Sequence, residues 1–198
     1  GSKIDIIDNI VETRKNTIEN QMVAGWADYE SMEGAITELE NLKDAGSENE
    51  VQVKRAEILL NLLGNTSGTG IFYVPLEEND KNGYDTLYFR DLNPEYYSRT
   101  NADIYGEYGN AAIMKTLGIT MDSNWKAYAD KDMLANSYIT RPVEAYRENG
   151  YGEEKDYGCW TVGTLPYYQG LSCIMYTIPL LGDDGQVFAV LGIEISME

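Results

Sequence analysis

The sequence predicts an α+β protein in which helices come first and the strands of an antiparallel sheet follow. Three observations lead to this class: a long helical pattern opens the chain, short runs typical of strands follow it, and a strong β-hairpin pattern closes it. Runs of helix followed by runs of strand are typical of α+β folds. With 198 residues, 43% of them hydrophobic, the chain can bury one core and is most simply a single domain.

The first helical pattern extends from Ile4 to about Leu42 without a proline. Its apolar residues recur every three or four positions and so share one face: Ile4, Ile7, Val11, Ile18, Met22, Gly25, Tyr29, Met32, Ile36 and Leu39. A helix of about forty residues would extend roughly 60 Å. We expect its first half either to pack on its own sheet or to pair with a second copy, which would make a homodimer.

A shorter helix is expected from Glu50 to Leu63, after the break at Gly46 and Ser47. Two strands follow it, "IFYV" (residues 71–74) and "TLYFR" (residues 86–90). The polar segment between them has the early spacing of a calcium loop, formed by Glu78, Asp80, Asn82 and Gly83. Phe89 occupies the twelfth position, where such a loop requires a bidentate glutamate, so we interpret the segment as a hairpin turn.

The middle of the chain predicts one more helix, from Ile104 to Leu117, and then "SNWKAYAD" as a loop or short helical turn. "NSYITRPVEAY" is interpreted as a strand ending near Arg141, because a residue before proline disfavours helical backbone angles. "YGCWTVGTL" is expected to form another strand. Together with the closing hairpin, these segments make about five strands.

The closing hairpin occupies Cys173 to Ser196. Apolar side chains alternate along both halves, which is the period of a pleated strand. "LGDDGQ" provides the turn, in which Gly185 is free to adopt a positive φ. The second strand is apolar on both faces, which predicts a central place in the sheet, and Gly192 predicts that another element lies close to it.

Composition excludes several functions. The net charge of −18 would repel a nucleic-acid backbone or an anionic membrane surface, so neither is an expected partner. The absence of histidine excludes Ser-His-Asp and Cys-His catalysis and histidine metal sites, and two cysteines cannot form a structural zinc site alone. Because no nucleotide-binding motif is present either, we expect no cofactor, no metal and no enzymatic activity.

The order of these elements and the last hairpin resemble bacterial Cache sensor domains, most closely the membrane-distal module of double-Cache receptors. The residues that carry the resemblance follow the family's hairpin pattern: Tyr176, Pro179, Asp183, Gly185, Leu191, Gly192, Ile193 and Ser196. Ala189 and Glu194 replace its usual glycine and aspartate.

The resemblance implies a PAS-like sheet outside the cytoplasm, in a parent protein anchored in the cell membrane. Such a domain senses a small molecule for a histidine kinase, chemoreceptor or cyclic-dinucleotide enzyme. Residues 1–46 would form the long helix of the sensor module and residues 47–198 the PAS-like Cache module. The alternative is a carbohydrate-binding or cell-surface adhesion module, suggested by the acidity and the sixteen tyrosines.

A sensor pocket should be concave and aromatic, with a few polar anchors. We expect at least half of seven residues to line one pocket: Trp125, Tyr128, Tyr138, Arg141, Tyr146, Asp156 and Trp160. Arg141 would clamp a carboxylate and Asp156 an amine or hydroxyl, so the expected ligand is an amino acid, a small carboxylate or an amine. The alternatives are core packing for each aromatic residue and a surface salt bridge for Arg141.

Cys159 and Cys173 would lie opposite one another if their strands are adjacent and the turn is centred near Pro166. Directly opposed residues have Cα atoms about 4.5 Å apart, within reach of a disulfide. A register shifted by one residue would instead leave two buried thiols.

Overall fold

The computed structural model describes residues 29–45, 48–66, 68–93, 101–164 and 172–196. The expected dimerisation face from Ile4 to Met22 lies outside these residues, and the proposed division at residue 46 stays a prediction. Helix α1 occupies Tyr29–Asn41 and is followed by a 3-10 turn at Lys43–Ala45. Helix α2 occupies Asn49–Gly64, within one residue of the prediction at each end.

In these described residues, seven strands form one sheet in the order β4-β3-β2-β1-β7-β6-β5. Their bounds are β1 Gly70–Pro75, β2 Leu87–Asp91, β3 Ile104–Tyr108, β4 Thr120–Lys126, β5 Cys159–Thr164, β6 Ser172–Leu181 and β7 Val187–Ser196. All neighbours are antiparallel except β3 and β4, which are parallel. The predicted α+β class is confirmed, but the sheet is mixed and larger than the five antiparallel strands expected.

Three segments in the middle of the chain were predicted wrongly, and the first two lie between residues 104 and 130. The expected helix from Ile104 to Leu117 is divided into strand β3 and helix α3, Ala111–Leu117. Gly109, with a φ of 142°, separates them, and the Asn110 side chain caps α3 by accepting hydrogen bonds from two backbone amides. The "SNWKAYAD" segment contains the end of β4, a mostly exposed edge strand with no apolar alternation to indicate it.

The segment predicted as a strand ending near Arg141 is helix α5, Ser137–Asn149, which follows the short helix α4, Lys131–Leu134. Ile139, Val143 and Tyr146 are buried at helical spacing. Packing of this apolar face therefore outweighs the preference of the residue before Pro142 for extended backbone, and the missing proline amide costs the helix one hydrogen bond.

The sheet separates two apolar layers. One face packs against α1, α2 and α3 through residues such as Leu39, Leu59 and Ile113. The other face packs against α5 through residues such as Ile139 and Val143. In the described part of the chain, no helix is both long enough and apolar enough to cross a membrane.

The closing hairpin is confirmed, and β7 lies between β1 and β6 inside the sheet. A Cβ atom at Gly192 would lie 2.1 Å from the ring of Phe72, its partner on β1. The close neighbour predicted from Gly192 is therefore an aromatic ring of the adjacent strand, which crosses over the glycine.

The register between β5 and β6 does not place the two cysteines opposite one another. Cys159 pairs with Thr177, and Cys173 pairs with Gly163. The offset of four residues separates them by roughly 13 Å along the strands, too far for a disulfide. Of the two alternatives, the register therefore favours two free thiols over a disulfide, with Cys173 buried and Cys159 half-buried.

Candidate functional site

Three of the seven predicted site residues lie on helix α5. Tyr138 donates a hydrogen bond to the Met133 sulfur at 3.2 Å, and Tyr146 donates one to the Gly185 carbonyl at 2.9 Å. Arg141 is exposed, and its Nη1 donates to the carbonyl of Trp160 at 2.6 Å. All three attach the helix to neighbouring elements, whereas Tyr138 and Arg141 were expected on a strand and Tyr146 beside it.

The other four predicted residues are dispersed. Tyr128 is 37% exposed, and its ring lies against Gly83 in the segment between β1 and β2. Trp125 donates its indole N–H to the Gly109 carbonyl at 2.7 Å and, like Trp160, packs against the apolar layer beneath α1 and α2. Asp156 is exposed and accepts a hydrogen bond from the Glu153 amide at 3.1 Å, which caps a 3-10 turn. The two tryptophans therefore lie on the opposite face of the sheet from Tyr138 and Tyr146.

A buried polar cluster lies on the face that carries α5. Arg90 of β2 and Glu194 of β7 form a salt bridge of 3.0 Å, in which both side chains are buried. The Tyr88 hydroxyl donates a hydrogen bond to the other oxygen of Glu194, and the Thr69 hydroxyl lies 3.3 Å from the first. Burial raises the pKa of Glu194 to about 7, although the Thr69 hydrogen bond lowers it.

Glu107 of β3 extends this polar cluster. It is 1% exposed, and within the described residues its Oε2 has no hydrogen-bond partner. The pKa of Glu107 is raised to about 8, first by burial and then by a hydrogen bond and like charge from Asp122, whereas the positive charge of Arg90 lowers it. Carboxyl groups with shifted pKa values near a buried cation are typical of functional sites.

Aromatic rings cover one side of the cluster. The ring of Phe72 stacks on Tyr88, with centroids 5.4 Å apart, and meets Tyr138 edge-on at 5.5 Å. Burial raises the pKa of Tyr138 to about 12, which keeps its hydroxyl protonated. Tyr138 is thus the predicted residue that connects α5 to the polar cluster.

Sequence reasoning missed Arg90, Glu107 and Glu194. The signal was present for two of them, because each interrupts an apolar strand at a position that faces a core, in "TLYFR" and "VLGIEIS". A charge in such a position is rarely buried unless it is paired. For Glu107, the wrong helix prediction concealed the same signal.

Neither a protein-family model nor a curated protein matches the sequence, but solved structures do. The periplasmic sensory domain of the Campylobacter jejuni chemoreceptor Tlp1 matches with a TM-score of 0.54 and 13% identity, over 97% of this chain and 60% of that chain. The ligand-binding domain of the C. jejuni chemoreceptor Tlp3, solved with L-valine, matches with a TM-score of 0.39 and 12% identity, over 98% and 62% of the two chains. The chain thus corresponds to less than two thirds of the length of either of these solved domains. It has the fold of a periplasmic chemoreceptor sensory domain, as its resemblance to Cache sensors predicted.

Proposed function

We propose that this chain is the extracytoplasmic ligand-sensing domain of a membrane-anchored signalling receptor. The observation that carries the proposal is the fold shared with the Tlp1 sensory domain over 97% of the chain. The domain would bind a small molecule and pass a conformational change to a histidine kinase, chemoreceptor or cyclic-dinucleotide enzyme. We assign it no catalytic role.

The buried polar cluster is the proposed ligand site, with Tyr138 as its contact from α5. Arg90 offers a planar guanidinium for a carboxylate, and Glu107 and Glu194 offer carboxylates for an ammonium group. Tyr88 and Phe72 supply the aromatic wall that small-molecule sites usually have. This combination suits an amino acid, a small carboxylate or an amine. The charged groups of a ligand would replace the partners that Arg90 and Glu194 have in the salt bridge between them. Binding would therefore act on strands β2 and β7, which carry these two residues.

The test is a thermal-shift and calorimetric screen with L-amino acids, small carboxylates and simple amines. A ligand that binds the folded state alone raises the melting temperature. Glu107→Gln keeps the shape of the side chain but cannot ionise beside an incoming ammonium group, and we expect it to abolish binding of an ammonium-bearing ligand while the domain stays folded. Glu148→Gln is the matched control, since it makes the same chemical change at an exposed position of α5.

The two variants separate the outcomes. If no compound of the three classes raises the melting temperature, the proposed ligand class is wrong. If a compound binds Glu107→Gln as tightly as the unmodified protein, its site lies elsewhere than the buried polar cluster.

A further inference from the structure

A cleft of about 1050 Å³ lies at one end of the sheet, between the α1–α2 connection and the turns that follow β1 and β6. Helix α2 contributes Gln52 and Arg55 to its wall, and the sheet contributes Tyr73 and Phe188. Tyr73 and Phe188 belong to the apolar layer beneath α1 and α2. The cleft is therefore separate from the buried polar cluster, which lies on the other face of the sheet.

Arg55 is unusual within this cleft. It is 8% exposed, and its guanidinium lies over the Tyr73 ring at 5.2 Å from the centroid. Its Nη2 donates to the Leu42 carbonyl at 3.2 Å, whereas its Nε has no acceptor among the described residues. Within the described residues, a buried cation thus has one N–H donor without a hydrogen bond.

Within the part of the chain that the structure describes, the charge of Arg55 is not balanced by a salt bridge. Of the two buried arginines in the described ranges, Arg90 pairs with Glu194 at 3.0 Å, whereas no carboxylate of these ranges lies within 4.0 Å of Arg55. The chain has 33 acidic residues, so carboxylates are abundant. A buried charge is costly unless it is paired. Stacking on Tyr73 offsets part of that cost but supplies no anion.

We propose that this cleft is a second ligand site, which binds a small carboxylate through Arg55. The carboxylate would accept a hydrogen bond from Nε and neutralise the guanidinium. The buried amide of Gln52 lies one helical turn before Arg55 and lines the same wall, so it faces the rest of the ligand. Lys43, Lys81 and Arg147 also line the cleft, but acidic residues outnumber them there, so the attraction for a carboxylate comes from Arg55 itself. The acidic residues of the lining are Asp44, Glu77, Glu78, Asp80, Asp85 and Asp184.

The test follows the Nε–H resonance of Arg55 by NMR during titration with sodium acetate, sodium succinate and sodium phosphate. Sodium chloride at equal ionic strength is the control for screening. We expect a saturable shift with a carboxylate. A shift that sodium chloride reproduces, or no shift with either carboxylate, would overturn the proposal. Saturation by phosphate alone would also overturn it, because the site would then not be one for carboxylates.

Variants provide a second measurement. Arg55→Met keeps the apolar stem over Tyr73 and removes the charge, and we expect it to weaken carboxylate binding about tenfold or more. Lys54→Met, at the adjacent exposed position of α2, should leave binding unchanged. Glu107→Gln should also leave it unchanged, which distinguishes this site from the buried polar cluster. Equal binding by Arg55→Met would contradict the proposal, as would a large loss of stability in this variant without any anion, since Arg55 would then have a structural role.

Discussion

The Arg90 guanidinium and the Glu194 carboxylate lie 3.0 Å apart and are both buried, although they come from strands that are not adjacent. Strand β1 runs between β2 and β7, and the two side chains meet above Gly70. A Cβ atom at Gly70 would lie 3.0 Å from the Glu194 carboxylate. The glycine thus leaves the space in which the ion pair closes.

Removal of one member of this pair should be strongly destabilising. Glu194→Leu leaves the Arg90 charge buried without its carboxylate, a change that typically costs about 3–5 kcal/mol. We expect the double variant Arg90→Met/Glu194→Leu to be less destabilised than Glu194→Leu alone. Urea denaturation measures the free energy of unfolding of each variant.

Lys155→Met is the control for ion pairs in general. Lys155 bridges Glu33 at 3.3 Å and Glu153 at 3.2 Å on the surface, and exposed pairs of this kind contribute little to stability. The outcome that contradicts the prediction concerns the double variant Arg90→Met/Glu194→Leu. If it loses as much stability as Arg90→Met and Glu194→Leu together, Arg90 and Glu194 do not stabilise one another.

The stability of the domain should fall as pH rises from about 5 to about 8. The pKa of Glu107 is raised from 4.5 to about 8, so the folded state binds a proton that the unfolded state has released over this interval. Stability is therefore highest below the unfolded pKa and is lost as pH rises through the folded value. Each such proton contributes a slope of about 1.4 kcal/mol per pH unit.

Glu107→Gln should remove the part of this slope that Glu107 contributes. The measurement is the urea midpoint at a series of pH values, with Glu148→Gln as the exposed control. If the slope of Glu107→Gln equals that of the unmodified protein, Glu107 does not carry the raised pKa.

Gly192 should tolerate no side chain. Its hypothetical Cβ meets the Phe72 ring at 2.1 Å, so Gly192→Ala would displace a ring in the centre of the sheet. Overpacking of this kind typically costs about 1–3 kcal/mol. Gly163→Ala is the matched control, because nothing lies within 4 Å of a Cβ atom there.

Thermal unfolding of the two glycine variants measures the difference. Phe72→Leu combined with Gly192→Ala should recover part of the loss, since the smaller side chain vacates the space. Equal melting temperatures for the two alanine variants would mean that the ring moves aside without cost.

Cys173 should be inert in the folded protein. Burial raises the pKa of its thiol to about 11, so almost no thiolate is present at neutral pH. Alkylation followed by mass spectrometry should modify this residue only after denaturation, and should then find two reactive thiols per chain without a reductant. A single disulfide-linked species would contradict the register between β5 and β6.

The sequence predicted those elements whose local pattern and packing agree. The β6–β7 hairpin alternates and has a glycine turn, and α2 has helical spacing between clear breaks, so both were found almost to the residue. Strand β4 was missed because it is an exposed edge strand, in which no buried face imposes alternation. Helix α5 was missed because one local rule, the effect of Pro142 on the preceding residue, conflicts with packing that only the tertiary structure supplies.

The candidate site was less predictable than the fold. Its principal residues come from strands β2, β3 and β7, and their proximity depends on sheet order, which the sequence does not state. The predicted aromatic residues were chosen from segments adjacent in sequence, whereas Trp160 and Tyr138 lie on opposite faces. A buried charge in an apolar strand was the more informative signal.

Arg141 should stabilise the attachment of α5 rather than clamp a ligand. Its Nη1 donates to the Trp160 carbonyl at 2.6 Å and to the Thr161 hydroxyl at 3.0 Å, which connects the helix to β5 at the edge of the sheet. Arg141→Ala removes both hydrogen bonds, and we expect a loss of about 1–2 kcal/mol in the free energy of unfolding. Arg147→Ala, two residues before α5 ends at Asn149, is an exposed control that should cost less. Hydrogen exchange should show faster opening of β5 in Arg141→Ala and not in Arg147→Ala.

The affinity of Arg141→Ala for any ligand found in the screen should stay within a factor of about two of the unmodified protein. If Arg141→Ala abolishes binding while hydrogen exchange at β5 is unchanged, Arg141 contacts the ligand as the sequence first predicted.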